Sequence, residues 1–361
     1  MSESGEQAAK EPIRTYEEID ASALTAYNFA DPERAARILR SLSGEGVPDA
    51  LFERLLPHLL TALAGSADPD RAANNFERWA ARLGARATQF QYLAANPEAV
   101  QALTAVFAGS QFFANVLIGQ PEYAEIVTSP QVRANSKTFA ALYRDARRAV
   151  DVFKGGGGKR AALRRFKALE MLRIGARDLI GVADTATITR EISDFADAAV
   201  QTAYEFCAEE ERDRRGLATV PAFCVIGMGK LGAQELNYAS DIDLIFIHGD
   251  VDVGSAEFPQ KLAENIVAAL SQQTADGFVF RVDMRLRPEG RFGPLSRSLA
   301  ACRAYYESWG ETWERQALLK ARPIAGDPAL GAAFLRILGT DSFGNTDGGS
   351  RFEGSRLVVQ I

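Results

Sequence analysis

Only eight residues, AQELNYAS, lie between the last glycine of GMGKLG (227–232) and Asp241, where a second apolar strand pattern, DIDLIFIH, begins. That spacing constrains the fold more than any other feature of the chain. A GxGxxG run holds a dinucleotide when it follows a strand, opens a full crossover helix and is answered by an acid about twenty residues on. A helix that crosses back over a sheet needs about a dozen residues. The dinucleotide reading therefore fails, and the acids after the glycines become the question.

In an extended strand alternate side chains share a face, so Asp241 and Asp243 project together while Ile242 and Leu244 point the other way. Paired carboxylates repel unless a cation or a protein donor satisfies them, and a DxD pair at the mouth of a sheet suits Mg²⁺, which prefers oxygen ligands. A solvated strand start carrying two hydrated acids is the plainer alternative. A third run, GFVFRVDMRLRP (277–288), alternates strictly and sets Arg281, Asp283, Arg285 and Arg287 against Val282, Met284 and Leu286. A solvated polar face alternates in the same way. A third carboxylate flanked by arginines is, however, what metal-assisted phosphoryl or nucleotidyl transfer requires. Gly227, Gly229 and Gly232 then let backbone amides approach phosphate, with Lys230 as a point charge.

Around this motif the order is strand (AFCVIGMG), turn, strand, a helical pattern over 257–273, and strand, an α/β arrangement. Upstream, residues 15–215 read as helices, with Asn96-Pro97-Glu98 and Gln120-Pro121-Glu122 as helix starts. KGGGGKR (154–160) lacks the Ser or Thr of a P-loop and the strand before it, so it reads as a helix-to-helix linker. The charged stretch EEERDRRG (209–216) marks a domain boundary. Forty-one basic against 47 acidic residues give a net charge of −6, which argues against broad nucleic-acid binding. Three widely spaced cysteines suggest neither a disulfide framework nor zinc. An N-terminus without an apolar core, and no apolar run of about 18 residues, lead to the expectation of a soluble, cytoplasmic chain with no membrane partner.

Taken together, GMGKLGAQELNYASDIDLIF (227–246) and FRVDMRLRPEGRFGPL (280–295) resemble the nucleotidyltransferase module of the glutamine synthetase adenylyltransferase family. The likeness continues in RRFKALEMLRIGARDLIGVAD (164–184), FAGSQFFANVLIGQPE (107–122) and YYESWGETWERQALLKARPIAGD (305–327), and covers roughly residues 20 to 335. It implies an α+β chain: a helical region over 15–215, a polymerase β-like nucleotidyltransferase domain over 216–296 and helices over 297–338, between tails at 1–14 and 339–361. The implied metal triad is Asp241, Asp243 and Asp283 with Mg²⁺; the implied nucleotide and phosphate contacts are Gly227, Gly229, Lys230, Gly232, Ser240, Arg285 and Arg287.

Members of the family carry two such modules. One removes AMP from a tyrosine of glutamine synthetase by phosphorolysis, the other attaches it from ATP, and both respond to PII signal protein and glutamine. The ELNYASDIDLIF wording resembles the N-terminal, adenylyl-removing module, which implies ADP, ATP and phosphate as substrates or products. The chain departs from the family in stopping at residue 361, and the Gly- and Ser-rich tail reads as a truncated or frame-altered end. Two other readings stay open: uridylyl transfer to a signal protein on the same fold, and a non-catalytic module that binds nucleotide or partner. His58 and His248 are expected to be incidental, Trp309 and Trp313 to form a core stripe, and Arg164, Arg165 and Lys167 to lie on a solvated helix face.

Overall fold

Proline and aspartate punctuate the N-terminal half. Asp31 and Asp68 each accept a backbone N–H from the residue three ahead, at 2.9 and 3.0 Å, and each precedes a proline at the first helical position. That combination satisfies an orphan donor and presets φ for the helix. The computed structural model describes residues 13–44, 46–252 and 254–337. They form an α+β fold that divides into two compact units: residues 13–135 with 171–184, and residues 136–170 with 185–337. The tails expected at 1–14 and 339–361 lie outside the described residues, apart from Ile13 and Arg14.

The first unit is helical. Its helices Pro32–Leu42, Asp49–Ala64, Pro69–Ala80, Arg86–Ala95, Pro97–Gly109 and Gln111–Gly119 enclose an aromatic cluster. Phe76 stands edge-on to Trp79 at 5.4 Å and to Phe107 at 6.1 Å, arrangements that ring quadrupoles favour. Pro97 opens its helix as expected, whereas Pro121 opens only the short 3₁₀ turn Pro121–Tyr123. No single helix among the described residues is long and apolar enough to cross a membrane; Pro97–Gly109 and Gln111–Gly119 reach that length only together and are bent by 120°.

The second unit holds a five-stranded mixed sheet: β1 (Phe223–Met228), β2 (Ile242–His248), β3 (Val282–Asp283), β4 (Ser296–Ser298) and β5 (Arg322–Gly326). β1 is central, antiparallel to β2 and to β5; β3 and β4 run parallel to β2 on its far edge. The eight-residue return from glycine run to acids thus joins antiparallel neighbours, which is why no crossover helix is needed. The parallel step from β2 to β3 does need one, and Phe258–Ser271 supplies it. On one face Cys224, Ile226, Met228, Ile245 and Ile247 pack with Cys302, Tyr306, Leu318, Leu330 and Phe334. On the other, Phe223 meets Phe246 and Tyr204, the latter from the 31-residue helix Thr185–Arg215. All three cysteines are buried and free.

Four expectations are corrected. The third strand is two residues long instead of spanning the alternating run, because the chain turns after Met284: Glu289 and Gly290 both take positive φ, and Arg287 folds back onto the turn. KGGGGKR is not a linker, since the helix Gly156–Ile180 begins within it; a Cβ on Gly156 would overlap the Glu210 carboxylate, and one on Gly158 would sit 2.7 Å from the Phe153 ring. Trp309 and Trp313 are exposed, 77% and 55%, because the helix Leu299–Ser308 ends before Gly310 and Thr312–Leu318 begins anew, so four-residue spacing does not place them on one stripe. Arg164 is buried rather than solvated; Arg165 pairs with Asp276 at 3.5 Å and Lys167 lies over the Phe278 ring at 5.3 Å.

Candidate active site

The face of β2 that carries Ile245 and Ile247 into the core carries Asp243 at the strand's mouth, and Asp241 stands two residues earlier, just ahead of the strand. Register brings the third acid alongside, for Asp243 pairs with Asp283 across the parallel β2–β3 step and with Met228 across the antiparallel β1–β2 step. Gly229, next in chain after Met228, has φ +54°, and a Cβ there would collide with Asp243 Oδ2. Only glycine both tolerates that left-handed backbone and lets the turn lie directly against the carboxylate.

The three carboxyl groups differ in their surroundings. Asp241 is gripped by Arg281, whose Nε lies 2.5 Å from Oδ1 and whose other arm donates to Ala239 O at 2.8 Å. Asp283 accepts the backbone N–H of Arg285 at 2.8 Å and a two-pronged contact from its guanidinium at 2.8 and 2.5 Å. Those hydrogen bonds hold Asp283 below the usual carboxylate range. Asp243 has neither kind of support. Burial, then the charges of Asp283 and Asp241, push its carboxyl above the ordinary range, with Arg285 a partial offset. A half-buried anion facing two others is an unfavourable arrangement that a cation would relieve.

The donors are the hard oxygens that Mg²⁺ prefers. They are not gathered as a cage: among the described residues no three His, Cys, Asp or Glu side chains stand ready to hold a metal. Asp241 and Asp283 each face an arginine, and a bound cation would take the place of Arg281 and Arg285 there.

The other residues expected at the site separate into two groups. Lys230 and Arg285 are exposed, and Arg285 leans over Asp283. Arg287, in contrast, is buried and spends its guanidinium on backbone carbonyls, those of Met284 at 2.6 Å, Gly293 at 3.0 Å and Arg291 at 3.2 Å. It shapes the turn that ends β3. Ser240 donates to Asn237 Oδ1 at 2.6 Å, closing the loop ahead of Asp241. Gly227 lies within β1, where a Cβ would press on Ile324 at 3.0 Å, and Gly232 lies against the main chain of Lys320. His248 ends β2, five residues and so about 17 Å from Asp243, with Nδ1 2.9 Å from Ser296 Oγ. Arg287→Lys is expected to cost about 1–3 kcal/mol, since an ammonium cannot satisfy three divergent carbonyls. Thermal unfolding measures it; an unchanged melting temperature would show that the turn holds without the guanidinium.

One pair of residues at the site has no local sequence signal. Arg322 in β5 meets Asp197, of the helix Thr185–Arg215, at 2.5 and 3.1 Å, and donates to the carbonyls of Leu231 at 3.0 Å and Gly232 at 3.3 Å. The two lie 125 positions apart.

Residues 100–337 match the family model of glutamate-ammonia ligase adenylyltransferase. The chain is 36% identical over 337 residues to the bifunctional glutamine synthetase adenylyltransferase/adenylyl-removing enzyme of Streptomyces coelicolor, an alignment that covers 87% of this chain and 31% of that protein. Proteins of the same name from Nocardia farcinica (32% over 335 residues) and Mesorhizobium japonicum (36% over 274 residues) align over 87% and 72% of this chain. The chain spans about a third of the length of these relatives.

Proposed function

The chain belongs to the glutamate-ammonia ligase adenylyltransferase family, and from that premise we propose that it is a nucleotidyltransferase module that removes AMP from the adenylyl-tyrosine of glutamine synthetase by phosphorolysis. The observation that carries the reading is the placement of Asp243 beside Asp283, with Gly229 pressed against the same carboxylate. In the reaction an oxygen of inorganic phosphate attacks the phosphorus of the AMP group. The bond from phosphorus to the tyrosine oxygen breaks, that oxygen takes up a proton from solvent, and ADP leaves.

Asp241, Asp243 and Asp283 would hold Mg²⁺, which when bound supplies positive charge to the phosphate oxygens. Arg285, 80% exposed at its side chain, is free to swing from Asp283 to an incoming phosphate, and its planar fork suits two oxygens at once. Lys230, exposed on the glycine turn, adds a point charge. The adenylyl-removing direction rests on the resemblance of the 235–246 wording to the N-terminal module; the geometry serves either direction, because both are displacements at phosphorus. PII signal protein enters the same reading as regulator.

Purified protein given adenylylated glutamine synthetase, Mg²⁺ and phosphate is expected to release ADP. Arg285→Lys should raise the KM for phosphate about tenfold, by losing the two-pronged contact. Consumption of ATP with AMP labelling of unmodified glutamine synthetase, and no phosphate-dependent release, would reverse the assigned direction.

A further inference from the structure

The glycine turn has two sides. Gly229 faces the carboxylates; the far end, Leu231 to Leu236, is tied down by residues of other elements. On the helix Thr185–Arg215, positions 190, 193, 194 and 197 fall on one face, three or four residues apart. Arg190 bonds Gln234 Oε1, Asp194 accepts from Gln234 Nε2 at 3.4 Å, and Ser193 Oγ accepts the buried Leu236 N–H at 3.0 Å. Asp197 completes the row by fixing Arg322, which in turn holds the carbonyls of Leu231 and Gly232. Arg322 is also the register partner of Gly227 across the β1–β5 pair, so a single residue lies beside the strand before the turn with its main chain and holds the turn's end with its side chain.

We propose that Arg322, locked by Asp197, is a positioning residue for the nucleotide: it fixes the glycine turn so that Gly229 and Lys230 keep their place against the carboxylates. The inference rests on the nucleotidyltransferase reading above.

Stability is a weak reason for such a pair. Asp197 and Arg322 are both buried, and replacing a buried ion pair by well-packed apolar residues is often neutral or stabilising. Burial pushes the Asp197 carboxyl up to about 6 even with Arg322 beside it, so desolvation outweighs the attraction at this site. What the pair supplies is direction. A guanidinium anchored at one edge by a carboxylate presents its remaining N–H groups at fixed angles, and two carbonyls of the turn accept them. Lysine retains the charge and loses that geometry.

The test compares wild-type protein with Arg322→Lys, with the milder Ser193→Ala, and with Phe334→Ala as a control. Phe334 is buried in the core on the sheet face away from the helix Thr185–Arg215, so its truncation lowers stability and leaves in place the contacts that this helix and Arg322 make with the turn. ADP binding is measured by calorimetry with Mg²⁺ present, and amide exchange is followed over residues 229–236. Arg322→Lys is expected to raise the Kd for ADP about tenfold and Ser193→Ala about threefold, with faster exchange across the turn. The control should melt lower and yet bind ADP within about twofold of wild type. Equal weakening in the control, or unchanged binding and exchange in both turn variants, overturns the proposal and leaves the nucleotidyltransferase reading standing. Wild-type protein that does not bind ADP overturns both.

Discussion

Asp243→Asn is expected to lower nucleotidyl turnover by about a thousandfold or more, while the metal-free protein melts no lower than wild type. The two effects have one cause. Asp243 is the acid with burial and two like charges against it, so its ionised form destabilises the fold at neutral pH. A carboxyl whose folded pKa lies above its unfolded value binds its proton more tightly when folded; stability therefore falls as pH rises through the folded value, and the penalty is complete above it. Asparagine removes that penalty. The gain in melting temperature should be present at neutral pH and vanish in acid, where the wild-type carboxyl is already protonated in both states. Asp241 and Asp283 are held by arginines, so their asparagine variants should lose activity without the same gain. Equal Mg²⁺-dependent turnover in wild type and Asp243→Asn would sink the triad assignment.

Gly232→Ala should cost about 3 kcal/mol or more, a large effect for a single methyl group. Its φ is not in the left-handed region, so conformational freedom is not the reason; close approach is. The added Cβ would overlap the carbonyl oxygen of Lys320 and sit 2.8 Å from that of Gly227. Both are main-chain atoms of paired strands or their approaches, and neither can rotate away. Relief would require β5 to move off the turn, breaking the Arg322 contact with Gly232 O. Gly157→Ala provides the contrast: a Cβ there meets nothing within 4 Å, and alanine in a helix is favoured over glycine by about 1 kcal/mol. Urea unfolding of both variants decides the matter, and a Gly232→Ala protein as stable as wild type would show that the Lys320 segment is not seated as described.

The two main strands, the helix between 257 and 273, and the acids at the sheet's mouth were legible in the sequence because each is a local pattern. The third strand is shorter than its pattern for a physical reason. Period-two alternation through Arg281, Asp283, Arg285 and Arg287 fits a strand, and equally fits a chain whose fourth member turns back to cap a loop. Arg287 does the latter, since its guanidinium reaches the carbonyls of Met284, Arg291 and Gly293 at that turn and bonds all three. Trp309 and Trp313 leave the expected stripe in the same way, because their spacing spans a helix break.

By itself the sequence determined that the glycine run and the acids stand next to each other. Eight residues cannot carry a crossover, so the chain must return beside the strand it left, and the acids at the start of that return meet the glycines at the end of the first strand. Only the tertiary structure decided how the turn is held. Asp197, Ser193 and Arg322 reach it from elements far away in sequence, and no periodicity links them to the motif. What makes Gly232 indispensable is likewise not its own neighbourhood in the chain but the backbone of Lys320, brought against it when β5 pairs with β1.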